Sequence, residues 1–221
     1  MMKWTKAEFK TSIPLERSSH GVSIIGDKLF MFGGEHTART PLASDVHELD
    51  LSSPVLEWRT VTAGGEAPSP RFGHGQCALG DSLYVFGGRQ GTAIDEKLLN
   101  DLYQFNTVTS TWTKIEGTGD IPCPRSYHTV TSSGDLIFVF GGCPEQGRLA
   151  DLHQFNTVSR HWTQLTPGPM EGRGGTPVTM TTTGDMFVVG GFAGREMADI
   201  HSYNIQDKSW TTHSRVIKHK S

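Results

Sequence analysis

The chain has 221 residues, 35% of them hydrophobic, which is enough for one large β domain or two small ones with a buried core. With 20 Lys and Arg against 23 Asp and Glu, the formal charge is −3, so no global field favours a nucleic acid or an anionic membrane, and neither is expected as a partner. The first ten residues lack the apolar core of a signal peptide and no stretch approaches the roughly 18 apolar residues of a membrane helix; the protein is expected to be cytoplasmic.

The first predicted element is an oddity. Trp4 lies 13 residues before Arg17, the spacing that recurs from Trp58 to Arg71 and from Trp112 to Arg125. Residues 2–8 therefore read as a lone outer strand. Four units follow, at 17–62, 71–116, 125–166 and 173–213, and then a basic tail at 214–221. All five tryptophans, Trp4, Trp58, Trp112, Trp162 and Trp210, fall in one register at intervals of 54, 54, 50 and 48.

Each unit repeats the same order. An arginine (Arg17, Arg71, Arg125, Arg173) precedes strand a, and a Gly-Asp pair (Gly26-Asp27, Gly80-Asp81, Gly134-Asp135, Gly184-Asp185) joins strand a to strand b. Glycine supplies the positive φ of a two-residue hairpin turn, so strands a and b are expected to form a tight hairpin in every unit. Strand b is almost continuously apolar, as in LYVF at 83–86 and IFVF at 137–140, which predicts a strand covered on both faces. It ends at a Gly-Gly pair; strand c follows Asp45, Asp101, Asp151 or Asp199, and strand d carries the tryptophan. Pro-rich loops such as APSPR at 67–71 lead to the next unit, and no helix is predicted. Cys77, Cys123 and Cys143 are odd in number with no C-x-x-C spacing, so free, mostly buried thiols are expected.

These markers, with RSSH at 17–20 and RSYH at 125–128, resemble the kelch repeat over residues 4 to 210. The implied fold is an all-β kelch propeller of four four-stranded blades plus an orphan N-terminal outer strand. Because the fourth unit already owns Trp210, the orphan strand calls for a blade beyond it, and the reading is an incomplete six-bladed ring. A closed four-bladed ring with a spare strand is the rival. Blade edges exposed by an open ring make a dimer through those edges an expectation.

In such blades the residue after each Gly pair lies at the mouth of the central channel, and here it varies: Glu35, Arg89, Cys143 and Phe192. The b–c connections vary in length as well, the longest running from Arg89 to Asn100. Variation on a constant scaffold is where binding sites reside. Residues repeated in every blade read instead as architecture. His20, His74 and His128 belong to strand a; the repeated Asp is expected to bond loop amides; His47, His153 and His201 are assigned to packing between blades rather than to a metal. The repeated arginines read as structural before functional. No Walker loop, G-x-S-x-G, H-E-x-x-H or paired-carboxylate motif is present.

Among kelch proteins, RSSHGVSIIGDKLFMFGGE at 17–35, VFGGRQ at 85–90, TVTSTW at 107–112 and RGGTPV with VVGGFA at 173–193 resemble the plant nitrile-specifier and epithiospecifier proteins. That resemblance implies redirection of glucosinolate aglucone breakdown, an anion-holding arginine at Arg89, a looser second one at Arg148, and a ferrous iron on a Glu-x-x-x-Asp-x-x-x-His motif. Glu196, Asp199 and His201 lie close together at the wrong spacing for that motif. Two readings follow. One is a non-catalytic interaction module that binds a protein or small anionic ligand through Glu35, Arg89, Arg148 and Phe192, with no cofactor. The other is a specifier-like protein lacking its iron-binding blade, in which ferrous iron would return only with that blade.

Overall fold

The structure is a computed structural model that describes residues 4, 6–11, 13–92 and 95–214. Within them every regular element is a strand, and the strands form four sheets, each built on four antiparallel strands, with Gly64–Gly65 and Thr118–Gly119 added in parallel to the outer strands of blades 2 and 3. Blade 1 contains β1 (Gly21–Ile25), β2 (Lys28–Phe32), β3 (Val46–Asp50) and β4 (Trp58–Val61), hydrogen-bonded in chain order. After the short β5 (Gly64–Gly65), blade 2 contains β6 (Gly75–Leu79), β7 (Ser82–Gln90), β8 (Lys97–Asn106) and β9 (Thr111–Ile115). After β10 (Thr118–Gly119), blade 3 contains β11 (Thr129–Ser133), β12 (Leu136–Gly142), β13 (Leu149–Asn156) and β14 (His161–Leu165). Blade 4 contains β15 (Val178–Met180), β16 (Asp185–Phe192), β17 (Glu196–Asn204) and β18 (Ser209–Ser214).

The hairpin prediction holds in three blades. Gly26, Gly80 and Gly134 lie at φ of 57°, 56° and 56°, and the aspartate that follows is not left-handed, which defines type II′ turns between pairs such as Ile25 and Lys28. Blade 4 differs: Thr181 pairs with Asp185 across three residues, with Gly184 at φ 87° in the place that closes a three-residue loop. The Gly pairs differ from expectation as well. In blade 3 strand b ends at Gly142, the second glycine of its pair, whereas in blades 2 and 4 it runs on beyond the pair; in all three the pair forms a β-bulge, with a register shift between Phe86 and Gly88, Phe140 and Gly142, and Val189 and Gly191. Much of the long connection after Arg89 is therefore strand, with Arg89 opposite Leu98 and Gln90 opposite Lys97. The bulge demands glycine: at Gly88, φ is 97° and a Cβ would come within 2.8 Å of His74 Cβ and 2.9 Å of the Phe72 carbonyl. Gly88→Ala is expected to cost roughly 1–3 kcal/mol, read as a lower urea midpoint at unchanged m.

Blades stack through one recurring boundary. The tryptophan of each strand d packs on the phenylalanine before the preceding blade's Gly pair, Trp112 on Phe32, Trp162 on Phe86 and Trp210 on Phe140, with ring centroids 5.1, 5.2 and 5.8 Å apart. The second glycine of each pair donates its N–H to the next blade's arginine carbonyl, Gly34 to Arg71, Gly88 to Arg125 and Gly142 to Arg173. A third link circles the channel. Ser19, Gly73, Tyr127 and Gly175, equivalent residues with φ of 53–60°, hydrogen-bond in sequence from N–H to the preceding carbonyl at 2.7–2.8 Å. Among the described residues this series does not return from blade 4 to blade 1: Ser19 N–H and Gly175 C=O have no backbone partner. The inner strands pack in the order β1, β6, β11, β15, without a packed pair between β15 and β1.

Met2, Lys3 and Thr5 of the expected orphan strand, and 215–221 of the basic tail, lie outside the described residues. Trp4 is 90% exposed and, with 6–8, forms no strand. Phe9 then bridges in parallel to Leu56, the same approach that β5 makes on β9 and β10 on β14. Of the three thiols only Cys77 is buried; Cys143 is half-buried and Cys123 exposed, contrary to the expectation of mostly buried cysteines.

Candidate functional site

Side chains of two kinds gather where the Gly pairs meet the channel. The first kind is repeated and buried. Arg71, Arg125 and Arg173 are fully buried, and each grips both oxygens of its blade's aspartate, Asp101, Asp151 or Asp199. The aspartates thus bind arginine rather than loop amides. His153 and His201 approach the same carboxylates through Nε2 at 3.0 Å, so they belong to this network rather than to packing between blades. In blade 2 Tyr103 replaces the histidine and the Arg71 guanidinium lies 5.4 Å from its ring centroid. Burial raises the Asp151 pKa, but hydrogen bonds from His153 and Arg125 outweigh it and hold the carboxyl well below the usual carboxylate range. The Arg173 hydrogen bonds do the same for Asp199 against its burial. Blade 1 departs from the pattern: Arg17 is half-buried and bonds the Gly33 carbonyl and His47.

The second kind is variable. Glu35, Arg89, Cys143 and Phe192 occupy one equivalent position, each forming an antiparallel bridge with the residue after the repeated arginine. Glu35 is 8% exposed and its carboxylate is engaged, accepting from Ser19 Oγ at 2.9 Å and Arg39 N at 2.6 Å. It shapes the 35–41 loop more than it faces solvent. Arg89 donates through Nε to Ser126 Oγ at 2.9 Å and through Nη1 to Glu96 Oε1 at 2.5 Å. Glu96 also takes two hydrogen bonds from Arg39. Burial pushes the Glu96 pKa up, but the bonds from Arg89 and Arg39 overcome this and keep its carboxyl below the ordinary value. Arg148 and Phe192, from blades 3 and 4, meet directly, with the guanidinium 4.8 Å from the ring centroid and both side chains solvent-accessible.

An open groove of about 670 Å³ lies beside this cluster. Arg39, Arg89, Lys97, Glu96 and Glu145 supply its charges, and Leu98, Pro124 and Pro144 its apolar floor. Sequence reasoning placed Arg89 at the mouth but missed Arg39, Glu96 and Lys97, which carry no repeat signal and stand in connections unique to their blades.

The whole chain matches one family, described as the KLHDC2/KLHL20/DRC7 Kelch-repeats domain, over residues 1–98 and 56–220. The protein belongs to the kelch-repeat family. Among its relatives, N-(sulfonatooxy)prop-2-enimidothioate sulfolyase of Thlaspi arvense is 36% identical over 150 residues, 66% of this chain and 41% of the relative. Human host cell factor 2 is 33% identical over 150 residues, 61% of this chain and 18% of the relative. Bovine kelch domain-containing protein 3 is 32% identical over 130 residues, 59% of this chain and 33% of the relative. This kelch chain thus spans less than half the length of each.

The ferrous iron implied by the specifier resemblance does not fit Glu196, Asp199 and His201. Asp199 has both oxygens on Arg173 and one on His201, and His201 Nδ1 lies 3.1 Å from Thr212 Oγ1. Among the described residues no group of three or more His, Cys, Asp or Glu is arranged to hold a metal.

Proposed function

We propose that this kelch domain is a non-catalytic interaction module whose loop face binds an acidic segment of a protein partner. The observation that carries the reading is the groove, in which Arg39, Arg89 and Lys97 face Glu96 and Glu145, leaving one positive charge in excess over an apolar floor. Arginine suits such a task because its planar fork reads carboxylates in pairs. Glu96 holds Arg39 and Arg89 in place before a partner arrives, so less side-chain entropy is lost on binding. Arg148 and Phe192 add a cationic and aromatic contact at the neighbouring blade. The relatives bear names as different as a sulfolyase and a host cell factor, as expected when one scaffold carries unrelated sites.

The test is an array of acidic, neutral and basic peptides probed with the labelled protein. Acidic peptides are expected to bind selectively, and Arg89→Glu to lower their affinity about tenfold or more, with the circular dichroism spectrum unchanged. Binding indifferent to peptide charge, or to Arg89→Glu, would defeat the reading. The resemblance to the sulfolyase keeps the specifier-like alternative in view, in which Arg89 holds a small sulfated anion. Saturable ferrous binding by this chain in a calorimetric titration would favour that alternative.

A further inference from the structure

The three internal boundaries state what a blade face accepts, and the two ends of the stack carry the two halves of that same boundary uncovered. On the outgoing side, Phe30, Phe32 and Val46 of blade 1 are 1%, 0% and 0% exposed beneath blade 2. Their equivalents in blade 4 are Phe187, Val189 and Ile200. Val189 is 40% exposed, Phe187 and Ile200 are only half-buried, and His213 of the same blade stacks on Phe187. On the incoming side, Val130 of blade 3 is 7% exposed, whereas the same residue type at the same place in blade 1, Val22, is 47% exposed and Ile24 beside it 56%. Trp112 and Trp162 are 1% and 2% exposed at their boundaries, whereas Trp58 is half-buried, as Trp210 is at the last boundary.

The polar half of the boundary is open at the same places. Among the described residues, Ser19 N–H and Gly175 C=O are the two ends of the series around the channel without a backbone partner. Among the described residues the Arg17 carbonyl has no backbone N–H on it, although Arg71, Arg125 and Arg173 each receive one from the preceding blade. What lies open is a sheet face with a hydrogen-bond code rather than a strand edge. Trp4 is 90% exposed and forms no strand pair, so it does not cover the blade 1 face.

We propose that the protein associates head to tail with a second copy of itself, the Phe187, Val189 and Ile200 face of blade 4 in one copy packing on the Val22, Ile24 and Trp58 face of blade 1 in the other. The second copy is the occupant because it presents the complementary half: a tryptophan for Val189, an arginine carbonyl for Gly191 N–H, and Ser19 N–H for the Gly175 carbonyl. The internal boundaries are the template. A contact between two different patches is heterologous, so each copy keeps one free end until the assembly closes.

Size-exclusion chromatography with light scattering is expected to give the mass of two chains, falling to that of one on dilution. Val189→Arg and Val22→Arg alter exposed positions and leave the fold intact by circular dichroism; each variant alone is expected to run as a single chain. Mixed in equal amounts they are expected to recover a one-to-one complex, since each retains the half that the other has lost. A single-chain mass for the unaltered protein at every concentration would overturn the proposal. So would a mixture that stays at single-chain mass, because the two intact halves would then have failed to meet, or either variant still pairing with itself, because that requires like faces to meet.

Discussion

Arg125→Ala is expected to cost about 3–5 kcal/mol of stability, the range for removing one partner of a buried ion pair. The side chain is fully buried and every N–H of its guanidinium has an acceptor. Nε reaches the Cys123 carbonyl at 3.1 Å, Nη1 the Gly141 carbonyl at 3.0 Å and Asp151 Oδ1 at 2.7 Å, and Nη2 Asp151 Oδ2 at 2.8 Å and Cys123 Sγ at 3.4 Å. Alanine would strand a carboxylate that is only 16% exposed, as well as the carbonyl inside the glycine bulge. Lysine is not expected to rescue it, because three donors on a point charge cannot span two carboxylate oxygens and two carbonyls in one plane. Urea midpoints would measure the loss. Arg17→Ala provides the control, since that side chain is half-buried and its hydrogen bonds go to carbonyls and His47, none to a carboxylate. Its cost should be about 1 kcal/mol; equal losses at the two sites would contradict the assignment.

The scaffold was legible because its causes are local or repeated. A Gly-Asp pair between apolar runs sets a hairpin within its own residues, and the tryptophans mark strand d because every boundary needs the same ring in the same place. The Arg–Asp pairs were half legible. Both residues recur in each unit, but Arg125 and Asp151 are 26 apart in sequence, and nothing along the chain says that they meet. The Gly pair read as a strand end, since a bulge that continues the strand has the same composition as a turn. The candidate site was least legible. Arg89 stood out as variation at a fixed position, yet its partner Glu96 comes from the non-repeating connection between strands b and c of its own blade, and its other neighbour Arg39 from the connection of a different blade. Contacts made once leave no periodic trace.

Acid is expected to destabilise the protein well before its aspartates titrate, and the channel histidines are the reason. Burial first, and then the nearby Arg71, His128 and His20, lower the pKa of His74 to about 3; burial and Arg125 lower that of His128 to about 3, against the Phe86 carbonyl and Asp151. Both stand at 6.5 in the absence of these effects. Between pH 6.5 and about 3 the unfolded chain therefore binds protons that the folded chain refuses, so stability is full above the window, falls through it as pH falls, and levels off below it. Two such groups give a slope approaching roughly 2–3 kcal/mol per pH unit, large against a total of about 5–15 kcal/mol. Asp151 and Asp199 act lower, because carboxyls held below their unfolded value of 3.8 keep their stabilising effect until pH drops beneath it. The window from about pH 6.5 to 4 thus belongs to the histidines. Urea midpoints followed across it should drop steeply in the unaltered protein, and His74→Gln, which removes one of several rings whose pKa burial lowers, should reduce the slope by roughly 1.4 kcal/mol per pH unit whatever it does to stability at neutral pH. An unchanged slope in that variant would show that the proton is taken up elsewhere.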